Sequence, residues 1–286
     1  PILKSIATAR EASRKEPQHS DAEDVQANIP PKLRSLLSPA DLKRNADGYE
    51  EMDLDLPREL VDAIKERLLK LPLVHRTDVR RFSDSPGPET TIYDEPVPHS
   101  FLLSEGNNPE EVGNTYKLDQ DLDLDEFVFL SWGEVYAGFV EGRYALLISP
   151  EVLFSPDCLV TPYDIADTVS KRELHRGKNK FKIGTASKVQ DEYLAKMVTG
   201  KDWLEIQARR IAKMYLEGTP IRDALRLTGL GEIKLRGPIP KSMIIASLDL
   251  SDSSQYVQYR DEIKSTTGFE LEKPHGRLRK IIGKIF

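Results

Sequence analysis

The chain has 286 residues, 39% of them hydrophobic and 31% charged, which is enough apolar material for a sizeable core beneath a strongly ionic surface. The net charge of -6 argues against a protein whose whole surface binds nucleic acid, because phosphate contacts need a basic face. The one cysteine, Cys158, excludes an intrachain disulfide and a multi-cysteine zinc site, and the five scattered histidines give no reason to expect a structural metal.

Hydropathy predicts no transmembrane segment. No window approaches the roughly 20 consecutive apolar residues that a membrane-spanning helix needs. Residues 1–14 lack the long apolar run of a signal peptide. A single cysteine fits the reducing cytoplasm, and a secreted effector without disulfides is the open alternative.

Residues 1–56 are predicted to form a polar, partly helical N-terminal arm. Residues 1–30 are rich in Ser, Glu, Lys, Gln and Asp, so they offer little apolar area to offset the entropy of ordering. The Ser-Pro-Ala-Asp sequence at 38–41 predicts the start of a short helix, with a serine cap, a proline in the first turn and an acid after it.

Residues 57–270 are predicted to form one α+β domain, which begins with a helix and a strand. Between residues 57 and 71, leucines and an isoleucine recur with a period of about 3.6 opposite charged residues, which indicates an amphipathic helix. Pro72 ends that helix, and residues 73–77 then predict a short strand.

Further strands and helices follow along the domain. Apolar runs bounded by glycine, proline or acidic residues predict strands at 127–131, 144–149, 232–236 and 243–250. Residues 161–231 are predicted to be mostly helical, with helices at 191–197, 203–217 and 220–227. Because strands and helices do not alternate regularly, the order predicts an α+β fold with a mixed or antiparallel sheet and helical insertions.

Three motifs at strand edges resemble, in their order, the ADP-ribosyltransferase superfamily. They are LVHRT at 73–77, FVFLSWG at 127–133 and EIKLRGPIPKSMI at 232–244. In that family the first core strand carries a histidine or arginine, often followed by a hydroxyl residue, and a middle strand ends in serine, threonine or an aromatic. A glutamate opens a late strand, often before a Gly-Pro-Ile-Pro-like turn. The resemblance spans about residues 70–250 and implies a fold of this type, with NAD⁺ as substrate.

The resemblance makes Glu232 the candidate catalytic carboxylate. Cleavage of the nicotinamide–ribose bond develops positive charge on the ribose, and a carboxylate beside the ribose stabilises that charge. In the same scheme Ser131 supports Glu232 or the nicotinamide ribose.

Five further residues are assigned by the resemblance to NAD⁺ binding. His75 would hydrogen-bond a ribose hydroxyl, with Thr77 fixing the orientation of its ring. Alternatively Arg76 would pair with the pyrophosphate, whose oxygens suit a planar guanidinium. Trp132 or Tyr136 would stack on nicotinamide.

The macromolecular acceptor of ADP-ribose is left open by the sequence. Family members that modify arginine usually carry a second Glu or Gln two residues before the catalytic glutamate, and here Leu230 occupies that position. A nucleic-acid base, another protein side chain, or water in a simple NAD⁺ glycohydrolase all remain open as acceptors.

A second hypothesis is a non-enzymatic module that binds nucleic acid or protein. Residues 209–230 look like the first two helices of a helix-turn-helix, which would suit a nucleic-acid-binding module. The predicted tail at 271–286 is basic and amphipathic, and its residues 273–286 could contact a protein partner or an anionic membrane.

Overall fold

A seven-stranded antiparallel sheet organises the part of the chain that the computed structural model describes, residues 37–77, 124–133, 144–162, 193–250 and 252–271. Its strands are β1 (Leu73–Thr77), β2 (Phe127–Trp132), β3 (Tyr144–Ile148), β4 (Cys158–Thr161), β5 (Val198–Thr199), β6 (Glu232–Arg236) and β7 (Ile244–Asp249). Their order across the sheet is β5-β4-β6-β2-β1-β3-β7, and every neighbouring pair is antiparallel. The predicted α+β class is confirmed, with the antiparallel form of the sheet.

Helices cover this sheet and lead into its strands. They are α1 (Pro39–Asp47), α2 (Arg58–Leu68), α3 (Gly200–Leu216), α4 (Ala224–Thr228) and α5 (Ser253–Thr267). Single turns of 3₁₀-helix occur at Glu50–Asp53, Leu124–Glu126, Pro150–Phe154, Ile221–Asp223 and Lys241–Met243. Within these described ranges, no helix combines the length and apolar character that a bilayer crossing would need.

Alternation along the strands produces two apolar cores, one on each face of the sheet. The large core takes Val128 and Leu130 of β2 and residues from α2, α3, α4 and α5. The small core takes Phe127, with Phe129 packed against it. Because successive side chains of a strand point to opposite faces, these two sets lie on opposite sides. The other members of the small core are Leu37, Leu42, Leu124, Leu159, Tyr193, Leu194 and Met197.

The N-terminal segment at 37–56 packs on the sheet domain. Helix α1 begins with a capping box, in which Asp41 N–H donates to Ser38 Oγ at 3.2 Å and Ser38 N–H donates to Asp41 Oδ2 at 2.9 Å. The Ser38 hydroxyl also donates to Asp41 Oδ2 at 2.7 Å, and this bond, followed by that from Ser38 N–H, lowers the pKa of the Asp41 carboxyl. The helix start predicted at 38–41 is therefore confirmed, and the described part of the predicted arm shares both cores with the residues predicted as the domain.

Strands β4 and β5 and helix α5 were not predicted, and in each case the sequence pattern is weak for a physical reason. Strand β4 is buried at all of its residues, so it shows no alternation, and β5 has only two residues. Helix α5 buries Tyr256, Tyr259, Ile263 and Thr267, a face with one aliphatic residue. The expectation that 161–231 is mostly helical is therefore wrong at Thr161 and at Val198–Thr199, which are strand. Of the helix predicted at 191–197, only Tyr193 and Leu194 are helical among the described residues. Ala195 and Lys196 form a turn, and residues 191–192 lie outside the described residues.

Helices α2 and α3 are joined by an ionic contact centred on Glu205. The carboxylate of Glu205 pairs with Lys65 of α2 and with Arg209 one turn further along α3, where Nε lies 2.7 Å from Oε1. Burial works against the charged form, yet hydrogen bonds from Lys65 and Arg209 outweigh it and lower the pKa of Glu205. A carboxylate of this kind stabilises the folded chain only while it is ionised.

This contact predicts an acid-labile contribution to stability. The contribution is present above the usual pKa of a free glutamate, about 4.3, and is lost as pH falls through the lower folded-state value. We expect Glu205→Gln to reduce the free energy of unfolding at pH 7 and to flatten its decline below pH 5. Urea unfolding from pH 3 to pH 7 measures both effects. Glu59→Gln, at an exposed position of α2, is the matched control and should follow the wild-type curve.

Candidate functional site

A row of polar residues crosses the centre of the sheet on the small-core face. Ser131 of β2 is the register partner of Glu232 of β6, and Thr161 of β4 is its partner on the other side. Directly opposed residues of antiparallel strands project to the same face with Cβ atoms about 5 Å apart. The carboxylate predicted as catalytic therefore lies between two hydroxyl side chains.

His75 follows the last residue of β1 that pairs with β2. Strand β1 pairs with β3 from Leu73 to Thr77, whereas its register with β2 covers Leu73 and Val74. Just beyond, His75 Nδ1 lies 3.1 Å from the carbonyl oxygen of Phe129. Because a carbonyl oxygen only accepts, Nδ1 carries the hydrogen in this contact. This hydrogen bond holds the imidazole of β1 against the backbone of β2.

The three motifs of the predicted site lie on three adjacent strands. Both β1 and β6 are neighbours of β2, so their backbones are separated by about 10 Å, twice the spacing of adjacent strands. Ser131 occupies the middle strand, and its Oγ approaches the carbonyl oxygen of Val74 at 3.5 Å. The His75 strand and the Glu232 strand thus flank the serine.

Glu232 is held by an ion pair and a phenol. Lys234 Nζ lies 2.7 Å from Glu232 Oε1, and Tyr193 Oη donates to the same oxygen at 3.3 Å. The Glu232 side chain is 16% exposed and that of Lys234 is 0% exposed. Two donors on one oxygen fix the orientation of the carboxylate, while its remaining exposure keeps it within reach of solvent.

Lys234 has further partners on β4 and on two aromatic rings. Its ammonium donates to Thr161 Oγ1 at 2.8 Å and to the Glu232 carbonyl oxygen at 3.4 Å. It also lies 5.1 Å from the centroid of the Tyr193 ring and 5.7 Å from that of Phe129, within the range of cation–π attraction. These contacts compensate the loss of hydration that burial of an ammonium costs.

The backbone before Glu232 is fixed by a glycine and a tryptophan. Gly231 adopts φ +77°, and a Cβ atom there would lie 2.5 Å from the carbonyl oxygen of Thr161 and 3.0 Å from the Trp203 ring. Trp203 Nε1 donates to the carbonyl oxygen of Leu230 at 2.7 Å. Only a residue without a side chain lets β6 begin at this distance from β4.

Cys158 does not supply a nucleophile to this site. Burial raises the pKa of its thiol to about 12, although the nearby charge of Lys234 acts in the opposite direction. The thiol is therefore protonated at neutral pH, and the thiolate is the reactive form of cysteine. Within the described ranges, no three His, Cys, Asp or Glu side chains gather as a metal site would require.

The remaining residues of the predicted site differ in placement. Trp132 is buried in the large core, where its Nε1 donates to the carbonyl oxygen of Leu71 at 3.3 Å. Arg76 is half-buried on β1. Tyr136 and the side chain of Thr77 lie outside the described residues, as do residues 273–286 of the predicted tail.

Sequence reasoning missed Lys234, Tyr193 and Thr161. The signal for Lys234 was present, because residues two apart on a strand share a face and Lys234 follows Glu232 at that spacing. Thr161 and Tyr193 approach Glu232 through tertiary contacts alone. Their separations in sequence from Glu232 hide them from any local pattern.

The helix-turn-helix-like segment is built into the domain. Arg210 Nε pairs with Glu51 at 2.6 Å, and Arg209 donates to Glu205 and to the carbonyl oxygen of Leu54. Helix α4 spans five residues, and strand β6 begins four residues after it ends. The two arginines therefore serve contacts within the chain.

The chain matches no family model and no curated protein. The functional assignment accordingly rests on the geometry of the polar row and on the motif resemblance.

The close contacts around Gly231 predict that a side chain there would clash. A comparison with Gly237, which has the same φ but open space around it, distinguishes this clash from backbone strain. Gly231→Ala and Gly237→Ala both place a side chain at φ +77°, but a Cβ at Gly237 has no neighbour within 4 Å. Both variants should lose about 1–2 kcal/mol from the left-handed backbone. We expect Gly231→Ala to lose roughly 1–3 kcal/mol more from overpacking. Urea unfolding of the pair tests this, and equal losses would contradict it.

Proposed function

We propose that the chain is an NAD⁺-dependent mono-ADP-ribosyltransferase or NAD⁺ glycohydrolase with Glu232 as its catalytic carboxylate. The observation that carries this proposal is that Glu232 is partly buried and in register with Ser131, on a strand that β2 alone separates from the strand of His75. The proposal is supported by the sheet order, because the three motif strands, β6, β2 and β1, follow one another across the antiparallel sheet.

The reaction replaces nicotinamide at the anomeric carbon of the ribose. As the bond to the nicotinamide nitrogen breaks, its electron pair leaves with nicotinamide and positive charge develops on the ribose ring. Glu232 stabilises that charge and accepts a hydrogen bond from a ribose hydroxyl. The acceptor then forms its bond to the same carbon and loses a proton, giving an ADP-ribosylated product or, with water, free ADP-ribose.

Ser131 and His75 complete the proposed site. Ser131 faces Glu232 across the strand pair, and its hydroxyl, which donates to the Val74 carbonyl oxygen at 3.5 Å, would turn to donate to the Glu232 carboxylate or to the nicotinamide ribose. The contact from His75 Nδ1 to the Phe129 carbonyl fixes the imidazole, so that Nε2 can accept from a ribose hydroxyl. Arg76 remains the alternative for the pyrophosphate.

The acceptor is one of three chemistries: a protein side chain, a nucleic-acid base or water. Leu230 stands where arginine-modifying relatives carry an acidic or amide residue, and its carbonyl is engaged by Trp203. An apolar side chain at that position does not orient a guanidinium, so arginine is the least suited of the protein acceptors.

Removal of the Glu232 charge tests the proposal. We expect Glu232→Gln to lower the rate of nicotinamide release from NAD⁺ by about 100-fold or more, the usual loss when a group that stabilises transition-state charge is removed. The assay measures nicotinamide by chromatography, with and without added protein or nucleic-acid acceptors.

The matched control is Glu217→Gln, which makes the same change at an exposed position after α3. It should turn over NAD⁺ at the wild-type rate. Full activity in a folded Glu232→Gln protein would exclude Glu232 from catalysis, and no nicotinamide release from the wild type under any acceptor would overturn the enzymatic proposal.

A comparison of His75→Ala with Arg76→Ala separates the two ligand-binding alternatives. If His75 holds the ribose, its loss raises KM for NAD⁺ by about 10-fold, the value of one hydrogen bond of roughly 1.4 kcal/mol in a binding site. Arg76→Ala should then change KM less. Steady-state kinetics with NAD⁺ as the varied substrate measures both, and the opposite ranking would assign the role to Arg76.

A further inference from the structure

Lys234 is the one lysine that is fully buried in the part of the chain described. Its register partners on the neighbouring strands are Phe129 and Leu159, which both belong to or pack on the small core. An aliphatic side chain would fill this position without the desolvation penalty of an ammonium. Replacement of a buried ion pair by apolar residues is often neutral or stabilising, so the presence of an ammonium here calls for a role besides packing.

We infer that Lys234 is a positioning residue, which holds the carboxylate of Glu232 in the orientation that the ribose needs. The inference rests on the proposed function. Its basis is geometric: the 2.7 Å contact from Lys234 Nζ to Glu232 Oε1, together with complete burial of the lysine. Because the ammonium is inaccessible, it acts on the substrate through Glu232.

The ammonium is itself held in place from several directions. Thr161 Oγ1 accepts from it at 2.8 Å, and the rings of Tyr193 and Phe129 lie within 6 Å of it. Tyr193 also reaches Glu232 Oε1 directly. Thr161, Tyr193 and Lys234 thus form a support behind the carboxylate, and Lys234 makes the shortest contact to it.

Glu232 has several low-energy rotamers on a strand, and an unsupported carboxylate would sample them. A displacement of about 1 Å in a reacting group can cost on the order of 100-fold in rate. The ion pair restricts Glu232 to one of these rotamers. This effect falls on kcat rather than on KM, since it concerns charge that develops in the transition state.

A double-mutant cycle on turnover tests the inference. The proteins are wild type, Lys234→Met, Glu232→Asp and the double variant, assayed for nicotinamide release from NAD⁺. Glu232→Asp keeps a carboxylate, and so measurable turnover, but draws it away from Lys234. We expect Lys234→Met to lower kcat by roughly 10–100-fold with KM changed less than threefold. In the Glu232→Asp background the same substitution should change kcat by less than threefold.

Two further variants secure the interpretation. Lys201→Met removes the same charge at an exposed position in the first turn of α3 and should leave kcat unchanged. If Lys234→Met folds poorly by circular dichroism, Thr161→Val replaces it in the cycle. That variant removes the hydroxyl that anchors the ammonium and should lower kcat about threefold to 10-fold, again only with Glu232 intact.

The outcomes separate this inference from the proposed function. Suppose that the wild type turns over NAD⁺. An unchanged kcat in Lys234→Met, or an equal loss of kcat with Glu232 and with Asp at position 232, would then overturn the positioning role. Glu232 would still stand as the catalytic carboxylate. Absence of turnover in the wild type would overturn the proposed function, and the inference with it.

Discussion

The buried ion pair between Lys234 and Glu232 constrains the centre of the sheet. An ammonium that has lost its hydration must keep a counter-charge and acceptors within reach, or its burial costs several kcal/mol. Here they come from Glu232 on the same strand and from Thr161 on β4. A slip of β6 by one residue would turn Lys234 towards the large core, so the pair and the register of strands β4, β6 and β2 depend on each other.

The contacts that hold this pair extend to the N-terminal segment. Tyr193 donates to Glu232, and the segment that carries Tyr193 is held from the N-terminal side of the chain. Asn45 of α1 donates to the carbonyl oxygens of Leu194 and Met197, and Tyr49, two residues after α1, donates to that of Lys196. Residues 37–56 therefore support Glu232 indirectly, through the segment that carries Tyr193. A polar, partly helical segment at the start of the described chain becomes a structural support of the carboxylate.

One face of the sheet packs against helices, and the other carries the proposed site. On the large-core face, α2 to α5 bury the apolar side of the strands, and this packing supplies the cooperative stability of the domain. On the opposite face the small core encloses Thr161 and Lys234, which are fully buried, while the Glu232 side chain keeps 16% exposure. A partly open carboxylate on an antiparallel strand suits the proposed reaction, in which positive charge develops on the ribose.

Sequence alone determined the elements whose pattern is local. The strands at Leu73–Thr77 and Glu232–Arg236, the helix cap at Ser38 and the α+β class all follow from periodicity, caps and breakers within a few residues. Which strands become neighbours, and the approach of Thr161, Tyr193 and Lys234 to Glu232, were decided only by the tertiary structure. Strand pairing and burial join residues far apart in the chain, and no short-range pattern encodes the free energy of those contacts.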